Sequence, residues 1–279
     1  MDMIGLIIGV SKSTIHKWIY KLPDIKKMLL NSIKYWSGII CIDEKYIKLN
    51  NKKHYVLSIV DNKTGFPLYT KTVNNLKSVT WKLFMEEFKK IYGKPRLIIS
   101  DGSKSLSGGR EKVFPDTPYQ HCWFHKLKNL NDRIYKVKNK KTRDRLLKLS
   151  HNMFHNADPS SRKRTAHRIV AMNVPKVSEY VEKNILGDWV HLNKMMTSNA
   201  VERFNRKLDK LFANHYGLKS EEFVNKLIDG LLLKEALIDH RHFINGFFTE
   251  LNMPKICQEI IKPVQIIGFL RDKLFKCAA

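Results

Sequence analysis

The sequence lacks any apolar run of about 18 residues, the length a bilayer-spanning helix needs, and it has no cationic amphipathic tail to lie on a lipid surface. Its first residues, Met-Asp-Met-Ile-Gly-Leu, are without the basic leader and small-residue cleavage site of a signal peptide. Cysteine is scarce: Cys41, Cys122, Cys257 and Cys277 are scattered without framework spacing, which argues against a disulfide scaffold and suits a reducing cytosol. There is no Walker loop, no Rossmann glycine pattern and no serine nucleophile elbow. Internal repeats and low-complexity segments are absent as well. The most telling shortage is of acids. Only 26 Asp+Glu stand against 51 Lys+Arg, leaving a net charge of +25 and a pI of about 9.9. A field of that sign favours polyanions, nucleic acid before all others. The expected location is the cytoplasm, in association with the nucleoid.

What is present is a chain of 279 residues, 43% hydrophobic, enough for one large core and a small appendage. Residues 1–30 read as part of a helix-turn-helix. A short apolar helix meets a turn at Gly9-Val10-Ser11, and a second helix then puts Ile15, Trp18 and Ile19 on one face. Lys12, Ser13, His16 and Lys17 point outward as a basic recognition surface for DNA. A third helix normally precedes these two, so the expectation is a remnant; the competing reading is a two-helix leader packed on the main domain.

From residue 37 the apolar period becomes that of strands. Ser37–Leu49, His54–Val60 and Phe66–Val73 form an antiparallel meander. Leu76–Tyr92 reads as a helix buried through Val79, Leu83, Phe84, Phe88 and Ile91, stopped by Gly93 and Pro95. Arg96–Ser100 is a buried strand, expected parallel to its neighbour, and Tyr119–Trp123 is a fifth, short one. This is the element order of an α/β, ribonuclease-H-like core with a mixed five-stranded sheet. Its first part is assigned to 37–125, followed by an all-helical insertion at 126–196 and the C-terminal core helices at 197–279. From Lys126 to Arg168 there are fourteen Lys/Arg against three Asp. That excess is too one-sided for ion-pair balancing along a helix, so phosphate contact outranks a merely solvated face. A last amphipathic helix from Ser220 carries Phe223, Leu227, Leu231, Leu232 and Leu237.

Three acids stand where chemistry could use them. Asp43 interrupts the first strand, Asp101 ends the fourth before Gly102, and Glu202 opens a helix. An isolated carboxylate among Ile and Leu is costly to bury. Two carboxylates brought side by side repel unless cations lie between them, and hard oxygen ligands suit Mg²⁺ or Mn²⁺. Gly102 would allow a sharp exit and the close approach of a phosphate backbone. Each acid also has a plain structural reading: strand alternation turns only one of Asp43 and Glu44 inward, Asp101-Gly102 is a common turn, and Glu202 stands three residues after Asn199 as in a capping box. The pair Cys122 and His125 has zinc-like spacing, but no second close pair completes a structural zinc site. Cys122 then reads as a small buried residue, with His125 near the acids or a phosphate.

Asp43, Asp101-Gly102, Cys122-x-x-His125 followed by Lys126-Leu-Lys-Asn-Leu130, and Ser198-Asn-Ala-Val-Glu202-Arg-Phe-Asn205-Arg206 together resemble the motifs of Mutator-type insertion-sequence transposases, within the DDE recombinases. The resemblance spans roughly residues 37–212. It implies a ribonuclease-H-like catalytic domain in which Asp43, Asp101 and Glu202 bind the metal ions, with His125 as a further catalytic candidate. It implies metal-dependent cleavage of element ends followed by strand transfer into double-stranded target DNA. Lys126, Lys128, Arg162, Lys163, Arg164, Arg203 and Arg206 would hold phosphates. Trp123 or Trp189 could stack on an unpaired base, though core packing is the stronger reading for both. A homodimer is expected because two ends must be paired. A non-catalytic DNA-binding derivative and a ribonuclease-H-like nuclease without strand transfer are the competing functions.

Overall fold

The computed structural model describes residues 36–156, 158–187, 197–213, 218 and 220–235. The helix-turn-helix expected at 1–30, with Lys12, Ser13, His16 and Lys17, lies outside them, as do Trp189 and Leu237.

Strands β1 (Ile39–Leu49), β2 (Lys52–Asp61) and β3 (Pro67–Val73) form the meander. The turn between β1 and β2 is made by Asn50 and Asn51 at φ 45° and 61°, a left-handed region that asparagine enters more readily than most residues. Helix α1 (Ser78–Tyr92) stops at Gly93, whose φ is 78°. Then come β4 (Leu97–Ser100), α2 (Lys104–Val113) and β5 (Tyr119–His121). β4 runs parallel to β1 and β5 parallel to β4, giving a mixed sheet ordered β3-β2-β1-β4-β5. The expected five-stranded α/β sheet is present, with β1 at its centre.

Alternation along β1 serves two layers. Ile40 and Ile42, with Leu57, Ile59 and Ile98, pack on Trp81, Phe84, Met85 and Phe88 of α1 and Leu106 of α2. Cys41, Ile47 and Leu49 face the other way. They pack with Val60 and Ile99 against α7 (Asn199–Ala213) and α8 (Glu221–Lys234) through Val201, Phe204, Leu208, Val224 and Ile228. Each large side chain closed off from water contributes roughly 1.5–3 kcal/mol.

Two details depart from the sequence reading. α1 buries Trp81, Phe84, Met85 and Phe88, an i, i+3, i+4, i+7 stripe, and leaves Val79, Leu83 and Ile91 exposed. Turning the Trp81 indole inward removes more apolar surface than Val79 and Leu83 could. The other departure is α2, in a stretch given no element. Its glycines disfavour a helix intrinsically, but they let it lie close on α1: a Cβ on Gly109 would stand 2.6 Å from that of Trp81.

Between β5 and α7 lies a helical unit of α3 (Trp123–Ile134), α4 (Lys140–His155), α5 (Pro159–Ala171) and α6 (Pro175–Val181), the last continuing as a π-helical turn (Glu182–Leu186). It has its own core of Leu130, Ile134, Leu146, Met153, Ala166, Ile169, Val181 and Ile185. Asn139 caps α4 by accepting from the Thr142 N–H, and Asp158 caps α5 ahead of Pro159. Because α3 starts at Trp123, His125 rides on the first helix of this unit, not on the sheet. Among the described residues no helix is long and apolar enough to cross a membrane.

Candidate metal site and nucleic-acid surface

Sheet register assembles one end of the site. Cys41 pairs with Ile99 across β1 and β4, and Ile99 with Gln120 across β4 and β5. Carried two residues further, those registers bring Asp43, Asp101 and Cys122 abreast on the face toward α7. The Cys122 N–H still donates to Ser100 O at 2.7 Å, so β5 holds its alignment to that point. The chain leaves β4 through a tight turn in which the Ser103 N–H donates to Asp101 Oδ1 at 3.0 Å. Gly102 adopts φ 88°, and a Cβ there would stand 2.0 Å from His121 Nδ1. The space above Gly102 is therefore filled by the His121 ring, where the sequence reading had put a phosphate backbone.

Helix α7 closes the site. Asn205 Nδ2 donates to Asp43 Oδ2 at 2.8 Å, and Lys45, two residues on from Asp43, pairs with Asp209 at 2.7 Å. Spacing by two on the strand is thus read by spacing of four on the helix, and this fixes Asp43 as facing α7. Asn205 is itself buried, and its Oδ1 has no hydrogen-bond partner. Glu202 lies one turn earlier. Its Oε1 accepts the Ser198 hydroxyl at 2.8 Å, while the Ser198 N–H donates to Cys122 Sγ at 3.3 Å. A capping box with Glu202 as its third residue would need Asn199 to stand just before the helix. Asn199 is already within the helix, and the Glu202 carboxylate accepts the Ser198 hydroxyl, so Glu202 is not a capping-box partner.

The acids repel one another. Burial, then Glu44 and Asp101, push the Asp43 carboxyl up to about 7. Glu44 is raised too, by burial and by Asp101, and its Oε2 is buried without a partner. Alternation sends Glu44 away from α7, yet its carboxylate stays within the field of Asp101, and it is a member that the sequence reading set aside. Asp61 is the instructive contrast. It is fully buried but accepts from the Ser37 N–H at 2.9 Å, the Ser37 hydroxyl, the Thr64 N–H at 3.0 Å and the Thr64 hydroxyl at 2.8 Å. Asp61 staples a turn with four donors, whereas for Asp43 the Asn205 amide and the Glu44 backbone do not outweigh burial and neighbouring charge.

Among the described residues, one trio of His, Cys and acidic side chains has ligand atoms all within 4.8 Å of one another: Cys122, His125 and Glu202. In this arrangement Glu202 stands closer to that pair than to a joint cluster with Asp43 and Asp101. Burial pushes the Cys122 thiol up, but hydrogen bonding from His125 and Ser198 outweighs it and brings the group to about 7. Contact with Cys122 raises His125, helped by Glu202 and Asp101, against the opposing effect of burial. His125 Nδ1 is buried with no hydrogen-bond partner of acceptable geometry.

The basic residues divide. Lys128, Lys163, Arg164, Arg203 and Arg206 are exposed. Lys126 and Arg162 are buried, at 5% and 3% exposure, which removes them from the phosphate-contacting set. Helical spacing explains this: Lys126 is in line with Leu130 on α3, and Arg162 with Ala166 and Ile169 on α5. Trp123 packs on Phe154 with ring centroids 4.1 Å apart, so it is a core residue, whereas its neighbour Phe124 is exposed.

Residues 39–129 match the family model of the MULE transposase domain. That third of the chain includes Asp43, Asp101, Cys122 and His125 and ends before Glu202. No curated protein sequence matches the chain. Among solved structures it is similar to a chain of the simian T-cell lymphotropic virus intasome in complex with the PP2A regulatory subunit B56 gamma, at 13% identity and a TM-score of 0.26 over 41% of this chain and 47% of that one. It is also similar to the HTLV-2 integrase catalytic core domain in complex with magnesium, at 14% identity and a TM-score of 0.27 over 41% of this chain and 84% of that one. The match spans about half the length of the first of these chains.

Proposed function

We propose that this protein is a DNA transposase whose ribonuclease-H-like catalytic domain holds Mg²⁺ or Mn²⁺ between Asp43, Asp101 and Glu202. The observation that carries the reading is that Asp43, within β1, and Asp101, just past the end of β4, come abreast and repel on the face that α7 covers with Glu202. The MULE match over 39–129 supports a transposase-related function. The donor set fits a hard divalent ion, because carboxylates that raise one another's proton affinity in a half-buried site are relieved by a cation, and Glu44 leaves a buried oxygen without a partner. When bound, such ions activate an attacking oxygen and stabilise the leaving one in phosphodiester displacement.

The chain's own residues supply the rest. Asn205 holds Asp43 toward the site, and the Ser103 N–H fixes one oxygen of Asp101. Ser198 orients Glu202 on the first turn of α7. Arg203 and Arg206, exposed beside Glu202, and Lys128, Lys163 and Arg164 on the helical unit meet the DNA backbone. Water attack would free a 3′-hydroxyl at an element end, and that hydroxyl would then attack the target strand. Pairing two ends calls for a homodimer.

The test is Mn²⁺-dependent nicking of supercoiled DNA and joining of a precut duplex bearing the element's terminal repeats. Asp101→Asn should lose both activities and keep DNA binding. Cleavage without joined product would replace the reading with a nuclease. Wild-type-level nicking by Asp101→Asn would end it.

A further inference from the structure

We infer that Cys122, His125 and Glu202 form a binding site for a borderline-soft divalent cation, of which Zn²⁺ is the best-matched species, lying beside the proposed oxygen site of Asp43 and Asp101 and sharing Glu202 with it. In the sequence only the zinc-like spacing of Cys122 and His125 points to it, with no second close pair to complete a site. The third donor comes from α7, far along the chain, and is visible only in the folded protein.

Four observations carry this. The three donor atoms lie within 4.8 Å of one another. A tetrahedral zinc ion, with bonds of about 2.0–2.3 Å, sets its ligands roughly 3.3–3.6 Å apart, so closure by about 1 Å of side-chain movement suffices. The donors are a sulfur, an imidazole nitrogen and a carboxylate oxygen, a mixture that selects against Mg²⁺ and for zinc-like ions. Cys122 is also the N-cap of α3, where the helix end favours a thiolate, and the Ser198 N–H already donates to its sulfur as an outer partner of a metal thiolate does. Finally, the His125 side chain contacts Cys122, so imidazole and thiol already meet beside Glu202. Glu202 has its Oε1 oriented by Ser198, again an outer-shell arrangement.

Three protein ligands leave a fourth position for water or a substrate oxygen, as in open zinc sites. The ligands also come from three places: the end of the β5 segment, the first helix of the helical unit, and α7. An ion there fastens the helical unit to the sheet at the edge of the acid site.

The experiment uses the full chain, stripped of metal and titrated with Co²⁺ as a spectroscopic stand-in for Zn²⁺, without DNA. One equivalent should bind with a thiolate-to-metal charge-transfer band in the near ultraviolet and visible bands of tetrahedral cobalt. Zn²⁺ should displace it stoichiometrically, and millimolar Mg²⁺ should not. Cys122→Ser should abolish the charge-transfer band, and Glu202→Gln, close in shape, should weaken Co²⁺ binding at least tenfold. Circular dichroism establishes that each variant is folded. Cys257→Ser/Cys277→Ser and Asp101→Asn should keep the spectrum. The inference is overturned if the wild-type chain binds no stoichiometric Co²⁺, if the band survives in Cys122→Ser, or if Glu202→Gln binds as tightly as the wild type. Failure of the transposase reading is separate, since it appears as nicking by Asp101→Asn whatever the cobalt spectrum shows.

Discussion

Replacing Asp43 with asparagine should stabilise the metal-free protein. The Asp43 carboxyl is raised from its ordinary 3.8 to about 7, by burial first and then by Glu44 and Asp101. A folded-state value above the unfolded one means that ionisation opposes folding. The cost is absent below about pH 4, grows as pH rises through the interval between the two values, and is fully present above about 7. At 1.36 kcal/mol per unit it reaches about 4 kcal/mol at pH 8 and is only about 2 kcal/mol at pH 5. Asparagine carries no charge to desolvate, and its carbonyl can still accept the hydrogen bond that Asn205 gives Asp43. Asp43→Asn should therefore unfold at a temperature higher by on the order of 8–16 °C at pH 8, with less than half that gain at pH 5.

The assay is thermal or denaturant unfolding of both proteins in a chelator at pH 5, 6 and 8. Adding Mn²⁺ should then narrow the gap, raising the wild type by about 1.4 kcal/mol when the ion is at ten times its dissociation constant and leaving Asp43→Asn unmoved. A variant no more stable than the wild type at pH 8, or a gap that does not change with pH, would refute the argument that the acids are held together against their own repulsion.

Two other expectations follow from burial and close packing. Lys128→Ala and Lys163→Ala, both at exposed positions, should each lower the slope of log affinity for duplex DNA against log salt by about 0.9, whereas Arg162→Ala, at a buried position, should lower stability and leave that slope alone. Equal slopes for all four proteins would remove the helical unit from the DNA contact. Gly109→Ala should cost about 1–3 kcal/mol, read as a lower denaturant midpoint at unchanged m-value, because its Cβ would stand 2.6 Å from that of Trp81 and 2.9 Å from the Lys82 nitrogen. A midpoint equal to the wild type would show that α1 and α2 can part without loss.

How far the residues alone reveal such a site depends on whether its contacts follow a local period. The strands of the meander alternate cleanly, so their limits emerge within a few residues of β1, β2 and β3, and the parallel pairing of β4 follows from the helix before it. Asp43 and Asp101 could be set side by side because a parallel register is a simple translation. Where two periods compete, local reading gives way. The apolar residues of α1 admit more than one stripe, and the size of Trp81 decides between them only once α2 lies against it. Glycines that hide α2 in the sequence are the reason it can pack so closely. Lys126 and Arg162 count as charges in a composition, but their places one turn from Leu130 and Ala166 turn them inward. Glu202 shows the same limit most sharply. Its neighbours in sequence offer it a cap, whereas its neighbours in space are a thiol, an imidazole and a serine hydroxyl. Ser198 gives its hydroxyl to Glu202 and its N–H to Cys122, so one residue ahead of α7 ties the two side chains together.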